Sequence, residues 1–192
     1  MKVLVISGSL REASYNTALA RAATEHAPAG VELEVYEDLG LLPPYDEDVD
    51  GEVAPAAVTD LRRRIGDADA LLLVTPEYNG SIPGVLKNAV DWASRPPRGG
   101  AALWGKTAAV AGATTGQYGA IWAQQDLKRV LGIAGARVID GELPVARAQD
   151  AFDETGALLD EGVAARLAGH LSALVAEAAP IVAEAVPIAA AA

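Results

Sequence analysis

The chain has 192 residues, no cysteine, 26 acidic against 15 basic side chains and a formal net charge of −11. This length suits one domain with a sizeable core, and the lack of cysteine excludes a disulfide framework, a thiolate nucleophile and cysteine-ligated zinc or iron–sulfur centres. With 51% hydrophobic residues the chain folds rather than staying disordered, and the acidic balance speaks against general nucleic-acid binding, which needs a basic footprint.

The apolar run Val3–Ile6 stops at Ser7-Gly8. It is too short for a secretory leader core, and it predicts a first strand covered on both faces. A first helix is expected from Tyr15 to about Ala27, a second strand over Val31–Tyr36 and a second helix over Ala56–Ile65. Ala70–Thr75 is again continuously apolar and reads as the third strand. A third helix opens near Pro83, a residue suited to a first helical turn. Its core stripe is Ile82, Leu86, Ala89, Val90 and Ala93, at helical spacing. Thr107–Ala111 is the fourth strand, Ala120–Leu131 the fourth helix and Arg137–Ile139 the fifth strand. A final amphipathic helix carries Val163, Leu167, Leu171, Leu174 and Ala178 on one face. The alternation predicts an α/β protein with a parallel sheet. Five such units fit a three-layer, doubly wound sheet of order 2-1-3-4-5, the flavodoxin-like arrangement. Residues 1–180 are expected to form a single domain, and 181–192 an alanine-rich tail that frays from the last helix. No apolar run reaches the ~20 residues of a membrane helix, so a cytoplasmic protein is expected, with no membrane partner and no nucleic acid.

In an open parallel sheet, chemistry sits at the carboxyl ends of the strands. Three loops there stand out. Gly8 to Asn16 joins the first strand to the first helix. Ser9, Ser14 and Asn16 supply neutral donors, Arg11 a cation, and the helix N-terminus free N–H groups. This suits a phosphate dianion; a polar turn with Ser14 as helix cap explains part of it equally well. It is neither a P-loop nor a GxGxxG fingerprint. The second loop, Pro76 to Gly84, carries two prolines and two glycines that shape it to aim backbone groups at the edge of a flat heterocycle. Ser81 and Pro83 are also explained by a plain strand-to-helix turn, whereas Glu77 and Tyr78 at the rim are not. The third loop, Ala113 to Gly119, is small and polar, and fits either a ligand wall or a flexible connector.

The stretch Gly8-Ser9-Leu10-Arg11 through Ser14 and Asn16 resembles the phosphate loop of the NADPH-dependent FMN reductase family. The stretch Thr75-Pro76-Glu77-Tyr78-Asn79 through Ser81, Pro83-Gly84, Leu86-Lys87-Asn88-Ala89, Asp91-Trp92 and Ser94-Arg95 does so at greater length. The family includes quinone, chromate and azo-dye reductases. The resemblance implies a flavodoxin-like fold, non-covalent FMN, NAD(P)H as cosubstrate and a quinone-like acceptor served by a ping-pong mechanism. The implied cofactor contacts are Ser9, Leu10, Arg11, Ser14, Tyr15 and Asn16 around the phosphate, and Pro76, Glu77, Tyr78, Asn79 and Ser81 along the isoalloxazine, with Thr114 and Gly116 from the third loop. No protein acid or base is implied, because the flavin N5 carries the chemistry, and no metal is expected. Members often carry arginine early in the fourth helix, where this chain has Trp122. Two other readings stay open: a flavodoxin-type electron carrier, which the acidic charge suits and Arg11 does not, and a non-catalytic FMN-binding module.

Other features carry less. Asp46-Glu47-Asp48-Val49-Asp50-Gly51 opens like a calcium loop, but Ala57 stands where a bidentate glutamate is needed. His26 and His170 lack a triad pattern, and no GxSxG elbow surrounds Ser9 or Ser14. Trp122 falls on the side of Asp126 and Arg129, opposite the apolar face Ala120, Ala123, Leu127 and Leu131. Tryptophan is enriched among interface anchors, and the relatives pair as dimers or tetramers. A homodimer or homotetramer is therefore expected, with the third and fourth helices at its interface and Trp122 partly buried by a neighbour.

Overall fold

A computed structural model describes residues 1–51, 53–96 and 100–185. Its strands are β1 (Lys2–Ser7), β2 (Glu32–Tyr36), β3 (Ala70–Val74), β4 (Thr107–Ala113), β5 (Arg137–Val138) and β6 (Leu143–Val145). Its α-helices are α1 (Tyr15–Glu25), α2 (Ala56–Asp67), α3 (Gly84–Ala93), α4 (Ile121–Ile133), α5 (Ala148–Ala151) and α6 (Glu161–Ala185). The sheet is parallel, in the order β2-β1-β3-β4-β5, with β6 also on β4. This is the expected flavodoxin-like order.

Strand periodicity sorts the core into two layers. Val3, Val5, Leu72, Val74 and Ala111 turn to the side of α1 and α6, where they meet Leu19, Ala23, Leu167 and Leu171. Leu4, Ile6, Leu71, Leu73 and Val110 turn to α2, α3 and α4, against Leu61, Leu86, Trp92 and Leu127. Because both faces are covered, β1, β3 and β4 read as unbroken apolar runs. Each fully buried leucine, such as Leu4 or Leu72, contributes about 1.5–3 kcal/mol by leaving water.

The fifth strand departs from expectation. Pairing begins at Arg137 and Val138, and the Ile139 N–H still reaches the Ala108 carbonyl at 2.9 Å. Gly141, at φ 83°, then turns the chain, and Leu143–Val145 resumes pairing further along β4. Pro144 is tolerated because β6 lies at the border of the sheet. The interruption leaves the Val110 carbonyl to a side chain: His170 Nε2, from α6, lies 2.9 Å away. α1 ends two residues before the expected Ala27, and α4 runs two residues beyond Leu131. α6 continues through Ala185; the rest of the predicted tail, with Pro187, lies outside the described residues.

The prolonged match of Leu86 to Trp92 with the family pattern has a structural explanation. Asn88 Oδ1 accepts the Tyr45 N–H at 2.7 Å, while Asn88 Nδ2 and Trp92 Nε1 both donate to the Pro43 carbonyl at 2.8 Å. α3 thereby holds the segment that follows β2. The acidic stretch 46–51 is folded onto the same region. Asp46 caps a short 3-10 turn, and Asp50 takes both terminal nitrogens of Arg62 at 2.7 Å. That guanidinium holds the Asp50 carboxyl below the usual carboxylate range.

Candidate functional site

The three loops after β1, β3 and β4 lie side by side because those strands are neighbours in the sheet. In the first, Ser14 caps α1 through its hydroxyl, which accepts the Asn16 N–H at 3.2 Å. Arg11 is exposed, and its guanidinium donates to the Ala13 carbonyl at 2.8 Å. The Ser9 hydroxyl accepts the Arg11 N–H at 3.3 Å. The N–H groups of Leu10, Glu12, Ala13 and Tyr15 have no acceptor among the described residues. Free donors at a helix N-terminus beside a cation are the donor set a phosphate needs.

Two candidates of this loop are committed to the fold. Asn16 is buried, with its amide Nδ2 donating to the Ala113 carbonyl and its Oδ1 accepting the Ala113 N–H, both at 2.9 Å. It clamps the start of α1 to the end of β4. The Tyr15 ring packs against Phe152, with centroids 5.9 Å apart. Both side chains thereby fix the backbone at the start of α1.

The second loop is built on a tight hairpin turn. Tyr78 and Ser81 exchange two backbone hydrogen bonds, 2.9 and 3.1 Å, across Asn79 and Gly80. Both central residues have positive φ, 53° and 75°, the geometry of a type I′ turn and the reason for Asn-Gly. Tyr78 stands half exposed at its tip, while Pro76 is buried beneath. Glu77 and Ser81 reach sideways to α4. Glu77 Oε2 accepts the Ala123 N–H at 3.1 Å, and Ser81 Oγ donates to Asp126 Oδ2 at 2.5 Å. The Ser81 hydroxyl, followed by the Arg129 guanidinium, holds the Asp126 carboxyl below its ordinary range. Glu77 thus serves as a helix cap, the account that sequence alone did not supply for an acid at the rim.

The third loop is pinned to the segment after β6. The Thr114 N–H donates to the Val145 carbonyl at 3.0 Å, and Gly116 accepts the Arg147 N–H at 2.9 Å. The loop ends in two successive left-handed residues, Gly119 at φ 60° and Ala120 at φ 59°. Only glycine fits at 119, since a Cβ there would sit 2.6 Å from Pro144 Cβ. For Ala120 the conformation costs on the order of 1 kcal/mol. Fully buried Gln124 holds this turn: Nε2 donates to the Gly119 carbonyl at 2.8 Å, and Oε1 accepts the Leu143 N–H at 3.0 Å. Sequence analysis missed Gln124; its only local trace is a polar residue within the apolar face Ala123, Leu127, Leu131.

The candidates do not line one cavity. Ser9, Leu10 and Arg11 border a notch of about 450 Å3 that runs towards Asp38 and Leu41 after β2. Ser14 and Tyr15 border another of about 420 Å3, next to Asp153–Gly156. The second and third loops flank the rim beside the first. The residues present fit FMN: free N–H donors and Arg11 for the phosphate, and a shaped, rigid turn beside Thr114 and Gly116 for a flat ring.

Fold and rim together define an α/β protein of the flavodoxin-like class with a mononucleotide-type site at the β1/β3 switch point. Residues 1–150 match the family model for NADPH-dependent FMN reductases, and the chain belongs to that family. It is 44% identical to an NAD(P)H-dependent FMN reductase of Pseudomonas aeruginosa, over 91% of this chain and 93% of the relative. It is 37% identical to a quinone reductase of Escherichia coli, over 90% and 93% of the two chains. Among solved structures, the flavoenzyme NAD(P)H:acceptor oxidoreductase of Paracoccus denitrificans superposes with a TM-score of 0.81 at 38% identity, covering 93% of this chain and 97% of that one.

Proposed function

We propose that the chain is an FMN-dependent NAD(P)H oxidoreductase that reduces a quinone-like acceptor. Residues 1–180 act as one FMN-binding unit. The observation that carries the reading is the donor array at the start of α1, beside a rigid Tyr78–Ser81 turn on the neighbouring strand. Arg11, Ser9, Ser14 and the free N–H groups of the first loop hold the phosphate. Leu10 lies beside them, and Tyr15 and Asn16 fix the backbone that carries these donors. Pro76 to Asn79 and Ser81 would border the isoalloxazine, together with Thr114 and Gly116 of the third loop. Bound there, FMN would supply two-electron chemistry, the hydride equivalent coming from NAD(P)H and reaching the acceptor together with one proton from solvent. The protein orients both substrates over one open face, so donor and acceptor use the same space in turn, a ping-pong scheme.

FMN is favoured over FAD, because no second nucleotide motif stands ready for an adenylate. Copies of the chain pair through α3 and the second half of α4, with Trp122 at the edge of that contact, partly covered by the neighbour and still open to small molecules. A groove of about 410 Å3 between these helices is lined by Val90, Trp104, Val130 and Ile133, with Lys87, Arg95 and Arg129 among its charges. Among the described residues no helix is long and apolar enough to cross a membrane. The test is direct. Purified protein loaded with FMN should be yellow, bleach on anaerobic addition of NADPH without a partner reductase, and recolour with a quinone. Bleaching only through a separate reductase would make it an electron carrier; a colourless protein after FMN addition would overturn the reading altogether.

A further inference from the structure

Two exposed aromatic rings at the rim have no part in the cofactor contacts named so far. Tyr118 is 54% exposed and Trp122 48% exposed, yet they pack on each other with ring centroids 4.9 Å apart and planes 60° from parallel. Their placement follows from the turn between them. Gly119 and Ala120 are both left-handed, and Gln124 holds the Gly119 carbonyl from below, so Tyr118 is folded back onto the first turn of α4. Trp122 shares a helix face with Asp126, four residues on, and Asp126 binds Ser81 of the Tyr78 turn. Helical side chains lean towards the helix N-terminus, which for α4 is the carboxyl rim of the sheet. Glu77 is tied to the Ala123 N–H, next to Trp122. The pair therefore stands where the third loop enters α4, beside the turn that carries Tyr78.

We propose that Tyr118 and Trp122 form a stacking platform that selects planar, fused-ring electron acceptors over small or non-aromatic ones. This rests on the oxidoreductase reading above. With their planes 60° apart the two rings form an angled apolar wall: a flat ring stacks on one face and meets the other ring edge-on, at little ordering cost. A single-ring acceptor covers less of that surface, and an inorganic acceptor gains nothing from it.

The experiment uses the FMN-loaded protein with naphthoquinone, benzoquinone and ferricyanide as acceptors. Trp122→Ala and Tyr118→Ala should each raise KM for naphthoquinone about fivefold to tenfold, with about a twofold rise for benzoquinone. Ferricyanide kinetics, FMN affinity and the rate of flavin bleaching by NADPH should stay unchanged. Equilibrium titration of the oxidised protein with naphthoquinone should show the same weakening, and Trp122→Phe should restore most of it. Uniform loss across all three acceptors, or unaltered naphthoquinone binding in Trp122→Ala, overturns the platform. Failure of NADPH to bleach the parent protein is a different failure: it overturns the oxidoreductase reading, while the titration still decides whether the rings bind a fused quinone.

Discussion

Arg11 lies over its own loop, its guanidinium spent on the Ala13 carbonyl. A phosphate competes well for that group, since a hydrogen bond to a charged partner contributes about 1.5–3 kcal/mol. Arg11→Ala should therefore weaken FMN by roughly tenfold to a hundredfold and leave riboflavin, which lacks the phosphate, nearly unaffected. Dissociation constants from flavin fluorescence decide this; equal losses for both ligands would remove Arg11 from the phosphate site. Asn16 presents the opposite case, a residue whose polarity is consumed by the fold. Asn16→Ala strands the N–H and C=O of Ala113 in the buried junction of α1 and β4. The expected cost is about 2–4 kcal/mol of global stability, because each unpaired buried group costs about 1–3 kcal/mol. Urea denaturation measures it, and a loss below about 1 kcal/mol would mean that water replaces the amide.

The interruption between β5 and β6 couples stability to pH. His170 spans the gap to Val110, and burial pushes its imidazole below the ordinary range; nearby Lys128 acts in the same direction, while the Val110 carbonyl and Glu142 oppose it. The unfolded chain therefore takes up this proton more readily than the folded one. The contribution is fully present above the ordinary histidine value and is lost as pH falls through the lower folded value. Melting temperature should drop from about pH 7.5 to about pH 5.5, a range above the titration of most carboxylates. In His170→Gln that slope should flatten; an unchanged slope would acquit the histidine. The same elements show what a sequence discloses. β1 and β3 are legible as continuous apolar runs, and the rim loops as breaks in a regular alternation. A two-residue β5 and a three-residue β6 are too short to show any period, so one strand was expected where the chain makes two. The tethers Asn16 to Ala113 and Glu77 to Ala123 join residues far apart in the chain. No local pattern in the sequence announces such a pairing.

At the scale of the whole molecule, the groove between α3 and α4 leaves Ile133 76% and Trp104 52% exposed. Burying such a face against a second copy is opposed by the charge of −11 on each chain, a repulsion that salt screens. Light scattering at micromolar concentration should give a dimer mass or a multiple of it, with association tightening as salt rises. Ile133→Asp should shift the population to monomer with its FMN retained. A monomeric parent protein at moderate salt would reject the interface. The borders of the sheet bear on how copies can meet at all. One is β2, whose Glu34 is paired with Lys2 and Arg64 and whose Glu32 is exposed. The other is broken into β5 and β6 and carries Pro144, which has no N–H to offer. An incoming strand finds charge at one border and a missing donor at the other, so neither can template the edge-to-edge growth that leads to fibrils. Crowded copies are left with their helical flanks as the means of association.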